Sequence, residues 1–317
     1  MGKSRRKTST RRRHDIQEDV SSDAFQAQAS TRMSQPVTLP IELISMIIDE
    51  YALQPGDFVH KEGGLARFAR CSRAFQEPAE RRLYRNVEYS IGTLVAQKIA
   101  AVLRSRAAPY VRNLFIYGYG PAVRRGRSSS RHGVSALPFK SMVGLRRLQL
   151  SCAASDENDI GTLINPELFH LLETELPENI LLKFVCRRHL LPSNLKFLNR
   201  QSTIESLVFR FLPLVGYVEP RNHRPPFTKL IELNTAKMND AVMSLMEGTN
   251  IRSFGAESFY IHPNWSAASR NLCVLDLAFC CIGPSVLPEL IACSPGLRLL
   301  FFALGDQWLV DQANVFQ

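Results

Sequence analysis

No run of 18 consecutive apolar residues occurs in this chain of 317 residues, which leaves no ordinary membrane-spanning helix to expect. The N-terminus also lacks the apolar stretch of a secretory signal, so the expectation is a soluble intracellular protein, in nucleus and cytoplasm, with no membrane partner. Cysteine is sparse and odd in number: seven residues, most of them inside apolar runs where a free thiol behaves as a small hydrophobe. Disulfides are not expected.

The constellations of an enzyme are missing as well. There is no phosphate-binding loop with its lysine and no G-x-S-x-G elbow. Gly118 and Gly120 follow a predicted strand, yet Val123 stands where the third glycine of a dinucleotide fingerprint belongs, and a basic serine-rich loop follows in place of a helix. Cys186 and His189 make a C-x-x-H with no second pair to complete a zinc site. Asp156, Glu157 and Asp159 lack the ligand spacing and closing Glu of a calcium loop. The expectation is a protein without a catalytic residue, metal or cofactor, an enzyme assembled from distant residues being the outside alternative.

Charge is one-sided only at the start. The net charge is +10, but Lys3, Arg5, Arg6, Lys7, Arg11, Arg12 and Arg13 all precede the first acid, Asp15; without them 39 − 7 = 32 basic residues face 29 acidic ones, about +3. Such a polar, self-repelling stretch suits disorder, and residues 1–37 read as a basic tail and linker. Its clusters Arg5, Arg6, Lys7 and Arg11, Arg12, Arg13 fit an import receptor, or weak nucleic-acid contact through the tail. Arg6 occupies the position where a myristoylation signal after Gly2 needs Ser or Thr.

Apolar order begins with "LPIELISMIIDEYAL", residues 39–53. Pro40 suits a first helical position and Glu42 the positive end of the dipole. At about 100° per residue its apolar side chains cover roughly half the circumference, more than the single stripe of a one-sided helix. A second helix is expected after Gly63 and Gly64, through Leu65, Phe68, Cys71 and Phe75, and a third from Pro78.

These residues resemble the F-box family, and fungal F-box proteins in particular: Leu39, Pro40, Glu42, Leu43, Ile47 and Ile48, then Leu65 and Phe68, then "CSRAF" from Cys71 to Phe75, then Leu83 and Tyr84. The match covers residues 38–88, with a long connection "LQPGDFVHKEGG" and Cys71 in place of an aliphatic as departures. The resemblance implies a three-helix module docking on the Skp-type adaptor of a cullin-RING ubiquitin ligase. Leu39, Pro40, Ile44 and Ile48 are then the docking residues, and Leu43 and Ile47 internal.

Residues 89–317 have another texture. Segments starting at Val111, Leu145, Ile204, Leu230, Ile251, Leu272 and Leu297 align as apolar-x-x-apolar-x-apolar, and the last four spacings, 26, 21, 21 and 25, lie in the leucine-rich-repeat range. "NILLKFVCR" reads as an additional strand within a longer gap, and "MNDAVMSLMEGTN" and "GPSVLPELIACSPG" as helical returns. Each such unit hides its inward side chains only when the next stacks beside it. The fold class expected is α/β: a three-helix F-box-like module, an irregular leucine-rich-repeat solenoid and a disordered basic tail. Cys280 is expected in the repeat core, residues 121–136 as an exposed loop with a kinase-like Arg125, Arg127, Ser130 pattern, and Trp308 and Leu309 as a folded-back cap, unless the chain is truncated or a partner covers its end.

The functional expectation is a non-catalytic substrate receptor of an SCF-type ubiquitin ligase, holding an unidentified target protein on the repeat surface. Solvent-facing strand positions Arg146, Arg147, Gln149, Glu205, Arg210, Glu232, Asn234, Asp276 and Arg298 are the candidate target contacts. The alternative is a repeat scaffold or a nuclear, nucleic-acid-associated binding protein whose helices only cap the array.

Overall fold

A computed structural model describes residues 39–55, 58–118, 137–152, 166–189, 192–211, 227–282 and 286–303. The tail, the 121–136 loop, the acidic turn at Asp156 to Asp159 and the cap at Trp308 and Leu309 lie outside the described residues. Ile41–Gln317 forms one compact unit. It opens with three helices, α1 (Ile41–Leu53), α2 (Phe58–Cys71) and α3 (Arg73–Leu83), and continues as strands alternating with helical segments. The strands are β1 (Asn86–Ser90), β2 (Asn113–Gly118), β3 (Arg147–Cys152), β4 (Lys183–His189), β5 (Ser206–Phe211), β6 (Glu232–Lys237), β7 (Ser253–Ser258), β8 (Val274–Cys281) and β9 (Leu299–Ala303). The α-helices between them are α4 (Leu94–Val102), α5 (Pro166–Glu175), α6 (Asp240–Glu247), α7 (Trp265–Ala268) and α8 (Val286–Ala292), with a 3-10 segment at Pro192–Arg200.

All nine strands form one parallel sheet in sequence order, β1 to β9. Where order never reverses, crossovers of the usual single hand bring every return to the same face and leave the other bare. The register shows the consequence. Leu114, Leu148, Phe184, Leu207, Leu233, Phe254 and Leu275 stand opposite one another strand by strand, and each is fully buried. Ala100 of α4, Leu172 of α5, Val242 of α6 and Leu290 of α8 belong to the same core. A fully buried Leu or Phe is worth about 1.5–3 kcal/mol each, so this column is the main stabilising feature.

Several polar groups inside the array are matched. Gln201 is buried; its carbonyl accepts the Ile180 and Leu181 N–H groups at 3.0 and 3.2 Å while its amide donates to the Pro177 carbonyl at 2.7 Å. Trp265, on the four-residue α7, stands edge-on to Phe254 and Phe259 and donates its indole N–H to Ser294 Oγ at 3.0 Å. Cys280 is buried as expected and donates its S–H to the Ala256 carbonyl.

Two helix boundaries differ from expectation. α2 starts at Phe58 and runs through Gly63 and Gly64, so most of the long connection read from the sequence is helix. Each glycine costs a helix up to about 1 kcal/mol. At Gly64 the reason for tolerating it is contact: a Cβ there would overlap the Tyr51 ring of α1. α3 starts at Arg73, with Ser72 Oγ accepting the Phe75 N–H, and passes through Pro78. Pro78 forgoes one helical hydrogen bond but is buried together with Ala79 and Glu80. β1, short and with only Val87 and Tyr89 turned inward, was not expected; the sheet therefore begins at Asn86, ahead of the division at residues 88 and 89.

Candidate functional site

The helical trio has its own small core: Ile44, Ile48, Leu65 and Ala79, flanked by Tyr51, Phe68 and Phe75. Tyr51 meets Phe68 edge-on and Phe68 stacks on Phe75. Arg82 of α3 donates to Asp49 of α1 and, by that hydrogen bond, holds the Asp49 carboxyl below the usual carboxylate range. On the other side of α3, Glu80 is 4% exposed and receives both Arg106 nitrogens, the closer at 2.7 Å, joining the trio to the segment after α4. That bond raises the Arg106 pKa.

Here burial along α1 runs opposite to the expected division. Ile44 and Ile48 are 2% and 0% exposed, so neither can meet a partner; α2 and α3 already cover them. Leu43 and Ile47, expected inside, are 45% and 43% exposed, with Met46 at 65% and Leu53 at 75%. On a helical wheel Ile44, Ile48 and Tyr51 share one side; Ile47 stands at its edge, and Leu43, Met46 and Leu53 follow round to the far side. The surplus in the sequence is thus a second, exposed apolar stripe that adjoins the buried one along Ile47. Leu39 and Pro40, just ahead of α1, are both exposed.

The bare face of the sheet holds a cleft of about 600 Å³. Of the expected target contacts, Arg147, Gln149, Glu232, Asn234 and Asp276 line it. They are alternate residues of β3, β6 and β8, pointing away from the core. Arg146, Glu205 and Arg298 do not line it: each lies one residue ahead of its strand, on a rim where backbone N–H groups bond to the preceding unit. The Arg210 side chain lies outside the described residues.

Lys183, Val208, Gly255 and Glu257 also line the cleft and were not expected. The signal for them was present: Lys183 pairs with Arg147 in register, and the same apolar-x-x-apolar-x-apolar frame laid on "LLKFVC" places it outward. Within the cleft Lys183 Nζ is 3.4 Å from Glu232 Oε2, and Asn234 donates to Glu232 Oε1 at 3.0 Å. A Cβ at Gly255 would overlap the Asn234 amide oxygen, so a larger residue there would displace the Asn234 side chain. Arg147 donates to Gln149 Oε1 at 3.1 Å and lies over the Phe115 ring, 5.3 Å from its centroid.

A second cleft of about 710 Å³ lies where α1 and α3 meet the rim of the first strands. Arg81, Arg82, Arg85, Arg112 and Arg146 line it, against one acid, Asp49. Arg112 and Arg146 are held by hydrogen bonds to the Gly144 and Ile180 carbonyls, and backbone bonds place Arg85, Arg112 and Arg146 at equivalent rim positions of successive units. Among the described residues no three His, Cys, Asp or Glu side chains converge as metal ligands, and Cys186 lies in the core.

No family model matches the chain, and a search of curated proteins also returns no match. The surfaces themselves therefore carry the functional reading.

Proposed function

We propose that the chain is a substrate-recognition subunit of an SCF-type ubiquitin ligase, in which the F-box-like helices dock on a Skp-type adaptor and leucine-rich-repeat-like units hold a target protein. The observation that carries this reading is the second apolar stripe of α1. Leu43, Met46, Ile47 and Leu53 remain exposed although the helix already packs a core through Ile44, Ile48 and Tyr51. A helix that is apolar on two sides is expected to be covered on both. The start of α2 at Phe58 also shortens the connection between the first two helices, which removes one departure from the F-box pattern. Such a receptor has no bond to make or break; it raises the effective concentration of a target lysine near the ligase's reactive end.

The test is capture of purified Skp-type adaptor by the full chain, beside a Leu43→Glu, Ile47→Glu double variant. Both residues are on the open side, so the variant should keep its fold and lose the adaptor. Capture by neither protein, or equally by both, overturns the reading.

A specific observation favours a second reading, a nucleic-acid-associated scaffold. Five arginines surround one small cleft, and with Asp49 alone among them the cleft is strongly cationic. Binding of a single-stranded oligonucleotide that falls steeply with salt, and that survives deletion of residues 1–14 but not Arg85→Ala with Arg112→Ala, would support this reading over the first.

A further inference from the structure

Charge on the bare face of the sheet is sorted by strand. Arg147 on β3 and Lys183 on β4 are basic; Glu232 on β6, Glu257 on β7 and Asp276 on β8 are acidic. Ser206 on β5 lies between the two sets, in register with Lys183 and Glu232. The middle of the array is neutral within itself, since Lys183 and Glu232 pair across the intervening strand. The ends are not. Arg147 has a neutral partner, Gln149, and an aromatic ring beneath it, but no carboxylate. Glu257 and Asp276 have no ion pair among the described residues, and Asp276 only accepts the Ala278 N–H two residues on.

Two buried polar atoms in this row lack a partner: Arg147 Nε and Ser206 Oγ, the latter on a residue 6% exposed. An unmatched buried donor is costly in an isolated protein and is relieved by a ligand acceptor. From β3 to β7 or β8 is four or five strand spacings, about 19–24 Å, the length of about six or seven extended peptide residues.

We propose that this cleft binds an extended segment of a protein target lying across the strands, with an acidic residue over Arg147 and a basic residue about six or seven positions away over Glu257 and Asp276. The inference rests on the target-receptor reading above and names the chemistry of its target. The neutral Lys183–Glu232 centre accepts the small or polar residues between the two charges. A uniformly acidic or basic segment meets repulsion at one end and is rejected by it.

The experiment is selection of a displayed random peptide library against the full chain, followed by affinity measurement with labelled peptides from the selected pool. The expected pool carries one acidic and one basic residue separated by about five or six others. Arg147→Glu should weaken these peptides at least about tenfold and shift preference to peptides basic at both ends; Asp276→Lys should do the reverse. Val208→Arg, which fills the middle of the cleft, should abolish binding of all of them. A pool without the paired charges, binding indifferent to Arg147→Glu and Asp276→Lys, or no pool at all, overturns the inference. Adaptor capture by the same preparations separates the two ideas: retained capture with no bipolar pool sinks the charge assignment alone.

Discussion

The helical trio and the sheet deal with apolar residues in opposite ways. In the sheet, alternate strand residues enter one continuous core, and the other face is mostly polar, with Phe115, Val185 and Val208 set among the charges and Leu299 and Phe301 exposed on β9. In the trio, α1 has more apolar side chains than its small core can take, and the excess is turned outward. Open surface thus differs in kind: apolar and unmatched on α1, charged and half-matched on the sheet. The first suits a partner that supplies apolar cover, the second one that supplies charges in a given order.

Substitutions of graded severity sharpen this contrast. Phe184→Ala, in the fully buried column between Phe197 and Phe209, should cost about 3–5 kcal/mol in denaturant unfolding, because the neighbouring strands cannot close over the void. Next comes Arg106→Ala, which leaves the buried Glu80 carboxylate with only Gln76 as a partner and should cost about 3 kcal/mol; an equal effect from Glu80→Gln would contradict a role for the unpaired charge. Ser294→Ala strands the Trp265 indole N–H and should cost about 2 kcal/mol, with a visible change in tryptophan fluorescence.

A smaller effect is expected on acidification. The Asp49 pKa is lowered from its ordinary 3.8 by the hydrogen bond from Arg82. The folded form therefore binds this proton less readily than the unfolded one, and the stabilisation is complete above the ordinary value and lost as pH falls through the depressed one. Both side chains are partly exposed, so the change is slight; Arg82→Gln should remove this part of the acid-side slope. The smallest effect on stability, within about 0.5 kcal/mol, is expected for Leu43→Glu with Ile47→Glu, since no core is touched.

The sheet was legible because the repeat's spacing is itself the register: apolar residues at the first, fourth and sixth places are the ones buried in each recognised unit but the last, where Leu297 and Leu300 are half-buried and Phe302 is exposed. It also marks Arg147, Gln149, Glu232, Asn234 and Asp276 as outward. It does less for the rim, where Arg146, Glu205 and Arg298 precede the strand and point elsewhere, and for β1, whose Val87 and Tyr89 are too short a pattern to stand out. On α1, periodicity reveals two apolar sides but not which is inside. Ile44 and Ile48 differ from Leu43 and Ile47 only through their distance from α2 and α3, information held in tertiary packing. Gly64 is similar: alone it reads as a break, and only the Tyr51 ring beside it explains its place in a helix.

The central claim is that the outer stripe of α1 is an interface. Calorimetric titration of the Skp-type adaptor into the full chain, at several temperatures, tests it most directly. The account expects one-to-one binding with a negative heat-capacity change, the mark of apolar burial, and loss of that signal in the folded Leu43→Glu, Ile47→Glu variant. Absence of binding by the unaltered chain, or equal binding by the variant, would contradict it.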